Sequence, residues 1–118
     1  MTEMSYRCKD NYVCITRSDG GEIKIELPFR VEKVVCSPGI LAVLVEPPTD
    51  VVFNENVFAY DFHGTLQWQI PKRRYLCEPS PYTGLWCEGD RLATYGWDGM
   101  ELRLEPATGQ ILSKEFMK

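Results

Sequence analysis

Asp61 and His63 are the residues whose types and spacing come closest to acid–base chemistry. His63 is the chain's only histidine and stands two residues after Asp61, immediately before Gly64. On a β-strand, positions i and i+2 point to the same face, and a histidine held by a carboxylate is a known general base. No motif ties a serine or cysteine to this pair. We therefore predict no catalytic residue, with Asp61 bonding to the backbone of a turn and His63 exposed at its tip.

The five cysteines offer little metal or disulfide chemistry. Their number is odd and none forms a C-x-x-C pair, whereas structural zinc prefers closely spaced ligands and small secreted domains pair their cysteines evenly. We expect reduced thiols in a cytoplasmic protein, several of them buried as small apolar groups, with no metal and no cofactor. Cys77, in a loop, is the thiol to test for reactivity. The cysteines are Cys8, Cys14, Cys36, Cys77 and Cys87.

Aromatic and basic side chains between residues 73 and 97 are the other source of a site. Aromatic clusters form ligand platforms and interface hot spots, and a basic run can bind phosphate or an acidic partner. The competing expectation places Trp86 and Trp97 in the core or a dimer interface, and Lys72-Arg73-Arg74 in a solvated loop. The predicted ligand- or partner-binding residues are Tyr75, Tyr82, Trp86, Tyr95, Trp97, Arg73 and Arg74.

Length, composition and charge exclude several classes of protein. The 118 residues fit one domain, 1–118, and 44% of them are hydrophobic, as in ordinary globular chains. A net charge of −4 argues against nucleic acid as a partner. The longest apolar run, Ile40 to Val45, is far shorter than the ~20 residues of a membrane helix, and the first ten residues lack the pattern of a secretory signal. We expect neither a nucleic-acid nor a membrane partner.

Hydrophobic residues alternate with polar ones along most of the chain, which is typical of strands half-buried in a sheet. The alternating runs are separated by turns that contain glycine, as in antiparallel hairpins. Ile40 to Val45 is apolar throughout and indicates a strand covered on both faces. The sequence predicts strands near 12–18, 22–28, 31–36, 40–46, 56–62, 65–71, 84–88, 91–97, 100–105 and 110–116.

Two hairpins recur along the chain. The apolar residues after Gly64 match those after Gly21 at an offset of 43, and Gly109 lies 45 residues beyond Gly64. A second hairpin repeats with Cys36 over Cys87. The repeating unit is therefore two hairpins, or four strands, in about 45 residues, which is the size of a propeller blade.

The segment AYDFHGTLQW, residues 59–68, resembles the blade signature of the quinoprotein-like (PQQ-type) β-propellers: Ala-x-Asp, then Gly, then Trp four residues later. LEPATGQIL, residues 104–112, is similar to its Thr-Gly form, with Glu105 in place of Asp and Leu112 in place of Trp. The resemblance covers about half the chain. It implies that the Asp and the Trp tie neighbouring blades together. No cofactor residue of the quinone enzymes has a match here, so it implies structure rather than dehydrogenase activity.

The chain holds about two and a half such units, too few to close when single-chain propellers have 4–8 blades. We predict an all-β fold, an antiparallel meander of about two and a half four-stranded blade-like units, with an open β-sandwich or half barrel as the alternative. Either fold leaves strand edges or an apolar face to be covered. We therefore expect a homo-oligomer, with a dimer favoured.

The sequence favours a non-enzymatic binding or protein-interaction module. Its predicted working surface is the two loops that do not repeat, 46–55 and 71–84, with the aromatic residues beside them. The alternative is a small-molecule-binding protein or small enzyme with a pocket lined by Tyr82, Trp86 and Trp97. A third possibility is a structural fragment of a larger assembly.

Overall fold

Eleven β-strands form the regular structure of residues 5–117, the part of the chain that the computed structural model describes. No helix occurs in this part, so none is long and apolar enough to cross a membrane. The strands are β1 (Ser5–Lys9), β2 (Tyr12–Thr16), β3 (Glu22–Glu26), β4 (Arg30–Ser37), β5 (Ile40–Glu46), β6 (Val57–Tyr60), β7 (Leu66–Gln69), β8 (Tyr82–Glu88), β9 (Arg91–Gly96), β10 (Met100–Leu104) and β11 (Ile111–Phe116).

The strands form three antiparallel sheets, each a meander of consecutive strands. Blade 1 is β1-β2-β3, blade 2 is β4-β5-β6-β7 and blade 3 is β8-β9-β10-β11. The predicted all-β fold of repeated blade-like units is confirmed. The sequence missed β1, a five-residue strand at a sheet edge whose residues are all exposed and include no aliphatic side chain.

The strand β5 lies at the centre of the molecule and is covered on both faces, as predicted. Ile40, Ala42 and Leu44 pack into a core shared by blades 2 and 3, and the residues between them pack into a second core shared with blade 1. No residue of the run Ile40 to Val45 is more than 6% exposed. The three sheets therefore stack face to face, with blade 2 in the middle.

Blades 2 and 3 each dock on the preceding blade through the turn before their last strand. Gly64 has φ +87°, and a Cβ there would lie 2.6 Å from Cγ2 of Ile23 in blade 1. Gly109 has φ +76°, and a Cβ there would lie 2.5 Å from the Trp68 ring of blade 2. The Nε1 of Trp68 also donates to the carbonyl oxygen of Pro106 at 2.7 Å. Trp68 thus ties blade 2 to blade 3.

The third unit lacks this docking side chain. Trp68 pairs with Ala59, and the residue in the matching position of β11 is Ser113, which pairs with Arg103 and is exposed. The structure therefore corrects the sequence comparison, which set Leu112 in the place of the tryptophan.

Both outer faces of the stack carry ion pairs. On blade 1, Arg7 lies 3.5 Å from Glu22. On blade 3, the guanidinium of Arg103 contacts Glu88 at 2.5 Å and Glu101 at 2.7 Å. Ion pairs of this kind are typical of sheet faces that contact solvent.

Candidate functional site

Three connections meet on the side of the sheets where β5, β7 and β9 end. We call this side the loop face. They are residues 47–56 between β5 and β6, 70–81 between β7 and β8, and 97–99 between β9 and β10. The first two contain the segments that do not repeat. The structure thus brings together the two loops that the sequence singled out.

Two buried asparagines hold these loops together. Asn54 donates to Glu78 at 2.6 Å and accepts from the backbone N–H of Ser80 at 2.7 Å. Asn56, fully buried, exchanges a pair of 2.8 Å bonds with the backbone of Tyr82. A buried amide whose donor and acceptor are both used fixes its neighbours in one arrangement. The sequence analysis missed this role, although the polar NEN run before β6 breaks the apolar alternation.

An ion pair between Arg73 and Asp98 lies beneath the loops. Their side chains are 3% and 0% exposed. The guanidinium contacts both carboxylate oxygens, at 2.8 and 2.9 Å, and its Nε donates to the Tyr82 hydroxyl at 2.7 Å. Arg73 is therefore not part of a solvated loop, as the sequence had suggested. The reason is that Asp98, remote in sequence, supplies the partner that makes its burial possible.

The pair remains ionised over a wide range of pH. Burial by itself would raise the pKa of Asp98, but the hydrogen bonds from Arg73 and from the backbone N–H groups of Leu76 and Met100 outweigh it and lower the pKa to about 2. Burial would lower the pKa of Arg73, but the bonds to Asp98 and Tyr82 raise it. These residues form a fixed support for the loops.

Tyr75 extends this support toward the other loop. Its ring lies 4.5 Å from the guanidinium carbon of Arg73, a cation–π distance. Its hydroxyl donates to the carboxylate of Glu55. Burial and this bond raise the pKa of Tyr75, so the phenol keeps its proton at neutral pH.

A groove of about 390 Å³ opens on the loop face above this support. Trp97 forms one wall and is 69% exposed. Its backbone is fixed on both sides, since its N–H donates to Pro81 at 2.9 Å and the N–H of Asp98 donates to Ser80 at 3.0 Å. The other lining residues are Glu32, Glu46, Pro47, Pro48, Thr49, Val51, Pro79, Pro81, Tyr82 and Thr83.

The charge of the groove is acidic. Glu46 pairs with Arg30 at 2.7 Å in an exposed contact. Partial burial and the negative charge of Glu46 raise the pKa of Glu32, although Arg30 acts in the opposite direction. None of the described residues that line the groove is basic.

The predicted binding residues fall into three places. Tyr82 and Trp97 line the groove, whereas Arg73 and Tyr75 lie beneath it. Arg74 is exposed in the same loop, and its carbonyl oxygen accepts from Arg73.

Trp86 and Tyr95 lie elsewhere. Both are half-buried on the outer face of blade 3, where Trp86 pairs with Ala93 and Tyr95 pairs with Glu101. Trp86 therefore does not join Tyr82 and Trp97 in one pocket. The sequence analysis missed the two glutamates and the proline walls, because β4, β5 and two separate loops contribute them.

The Asp61–His63 segment is the predicted turn. One carboxylate oxygen of Asp61 accepts from the N–H groups of His63 and Thr65, both at 2.9 Å, and His63 is exposed. This confirms the predicted geometry, in which the carboxylate bonds to backbone rather than to the imidazole.

The expected burial of several cysteines is wrong. Cys14 is buried, but Cys8, Cys36, Cys77 and Cys87 are exposed. Cys8, Cys36 and Cys87 lie on strands at sheet edges, which leaves them exposed, and Cys77 lies in a loop. No group of three or more potential metal ligands occurs within residues 5–117.

Comparisons with known proteins agree with this architecture. A family model described as a domain of unknown function (DUF7957) matches residues 3–116. The crystal structure of BamB from Moraxella catarrhalis is similar over 97% of this chain, with a TM-score of 0.63 and 16% identity. The likeness shows a propeller-like fold, and the chain spans about a third, 34%, of the BamB chain.

A second solved structure, the computationally designed Ika8 protein, matches 98% of this chain and 50% of its own at 13% identity, with a TM-score of 0.34. No curated protein sequence matches the chain.

Proposed function

The chain belongs to the DUF7957 family of domains, and from that premise we propose that it is a non-enzymatic protein-interaction module that binds its partner through the loop face. The observation that carries the proposal is Trp97, a large aromatic side chain that is 69% exposed at the edge of a groove. Exposed tryptophans beside apolar surface are typical of interface hot spots.

The contacts beneath the groove hold it in one conformation, which favours binding. Arg73, Asp98, Asn54 and Asn56 hold both loops and the backbone next to Trp97, so the groove exists before any partner arrives. Preorganised surfaces lose less entropy on binding.

Photo-crosslinking tests this proposal. A benzoylphenylalanine at position 97 in the full chain should crosslink to a protein in the cells that make it. A matched control carries the same group at Asp90 in the β8–β9 turn, on the side of the sheets opposite the loop face. The Asp90 side chain is 94% exposed. The proposal fails if position 97 yields no protein crosslink or the same products as position 90.

A small-molecule-binding protein or small enzyme is the second candidate. The groove volume of about 390 Å³ lies within the range of sites for small ligands. A metabolite that changes the fluorescence of the wild type, but not of Trp97→Phe, would support this alternative.

We propose that the chain forms a homo-oligomer, a dimer first of all. The polar outer faces do not favour association through an apolar surface, so sheet edges are the better surface. The edge of β1 is the candidate, since β1 is an edge strand of blade 1 and all five of its residues are exposed. Light scattering that gives a monomer mass at micromolar concentration would refute the oligomer.

Three narrower predictions from the sequence belong to the same proposal. We propose that the blades are of the quinoprotein-like type, which the docking of Trp68 on the turn of the next blade supports. A cytoplasmic location, and partners that are neither nucleic acids nor membranes, remain predictions. The net charge of −4 supports the prediction about nucleic acids.

A further inference from the structure

We infer that the groove on the loop face takes one basic side chain, an arginine or a lysine, carried on an exposed segment of the partner protein. The inference rests on the proposed function and names the chemistry that the partner must present. It follows from the aromatic wall, the two glutamates and the proline lining of the same groove.

Trp97 provides the aromatic surface. Tryptophan has the strongest attraction for cations among the aromatic side chains, because its ring face carries partial negative charge. With 69% of Trp97 exposed and its backbone fixed on both sides, the ring is available without rearrangement of the chain.

The glutamates provide the charge. Glu32 and Glu46 line the groove close enough for the charge of Glu46 to raise the pKa of Glu32, and Arg30 pairs with Glu46. A cation between Trp97 and Glu32 would remove this repulsion, whereas an anion would increase it. Arg73, the basic side chain beneath the groove, is already paired with Asp98.

The prolines determine which part of the partner the groove can bind. Pro47, Pro48, Pro79 and Pro81 have no backbone N–H, so these walls lack the donors with which a strand edge would pair with an extended peptide. Apolar walls around an acidic end suit a long side chain that buries its methylene groups and carries its charge at the tip.

NMR titration of the 15N-labelled full chain tests this inference. The probe is an acetylated, amidated pentapeptide of glycine and serine with arginine at its centre, and the comparison peptide has citrulline there. Citrulline keeps the shape and length of arginine without the charge. The arginine peptide should shift the indole signal of Trp97 and bind about tenfold more tightly than the citrulline peptide.

Two variants test which side chains of the groove bind the arginine peptide. Glu32→Gln should weaken binding of the arginine peptide several-fold, and Trp97→Ala should weaken it about tenfold. The matched control is Glu115→Gln, which removes the same charge from an exposed position on β11 and should leave the affinity unchanged.

Three results would overturn the inference: no shift of Trp97 with the arginine peptide at 10 mM, equal affinity for the two peptides, or equal effects of the two glutamate changes. Photo-crosslinking separates this failure from that of the proposed function. If position 97 still crosslinks to a protein, the interaction module stands and the basic side chain is wrong. If it does not, both are wrong.

Discussion

Asp98→Asn tests whether the buried ion pair holds the loop face together. The change keeps the size of the side chain but leaves one acceptor oxygen, whereas Leu76 and Met100 donate to different oxygens of Asp98. It also removes the negative charge that faces Arg73. Because the Arg73 side chain is 3% exposed, water cannot replace the lost partner.

The expected cost follows from that burial. Removing one member of a buried ion pair costs about 3–5 kcal/mol, since the remaining charge stays desolvated. This is a large share of the total free energy of unfolding of a typical domain, which is roughly 5–15 kcal/mol. The double variant Arg73→Met/Asp98→Asn, which leaves no unpaired charge, should be more stable than Asp98→Asn alone.

Urea-induced unfolding followed by far-ultraviolet circular dichroism measures these differences in the free energy of unfolding. The control is Glu46→Gln, which breaks the exposed pair of Arg30 and Glu46, whose side chains are 69% and 56% exposed, and should cost less than about 1 kcal/mol. If Asp98→Asn costs no more than this control, the buried pair does not hold the loops and the reasoning is wrong.

The same pair makes stability depend on acid. The pKa of Asp98 is about 2 in the folded chain and ordinarily 3.8, so its contribution is present above about pH 4 and is lost as the pH falls toward 2. A difference of this size corresponds to about 2 kcal/mol. The wild type should therefore lose more stability between pH 4 and pH 2 than Asp98→Asn does.

Two further predictions concern the turns. Gly109→Ala should cost about 2–4 kcal/mol more in urea unfolding than Gly39→Ala. Both glycines have positive φ, near +76°, but a Cβ at 109 would lie 2.5 Å from Trp68, whereas a Cβ at 39 would meet nothing within 4 Å. Equal costs would mean that Trp68 does not dock there. His63→Ala should change stability by less than about 0.5 kcal/mol and leave peptide affinity unchanged, since the side chain is exposed, and a tenfold loss of affinity would contradict this.

The repeats in the sequence predicted most of the architecture, because blade packing depends on residues at fixed offsets. The apolar positions after Gly21 and Gly64, and the unbroken run of β5, determine which faces are buried. The missed strand, β1, has no buried residue, and its alternation contains none of the aliphatic side chains that marked the other strands.

The site was less predictable, because its contacts join residues that are far apart in sequence. Arg73 and Asp98 are 25 residues apart, and Asn56 and Tyr82 are 26 apart. Local pattern therefore gave the aromatic and basic residues but not their partners. It placed Trp86 in the same pocket as Trp97, although the alternation of β8 carries Trp86 to the outer face of blade 3.

The strand after the repeated glycine supplies the side chain that meets the next blade, so the coupling runs in one direction along the chain. Ile23 contacts the turn of Gly64 and Trp68 contacts the turn of Gly109, but Ser113, which corresponds to Trp68 in the last unit, is small, polar and exposed. An internal duplication of the middle unit would keep every coupling intact, because each copy would carry its own tryptophan and its own glycine. Duplication of the last unit would place a serine where a bulky side chain is needed. Coupling between neighbouring units thus depends on the side chain that meets the next glycine turn.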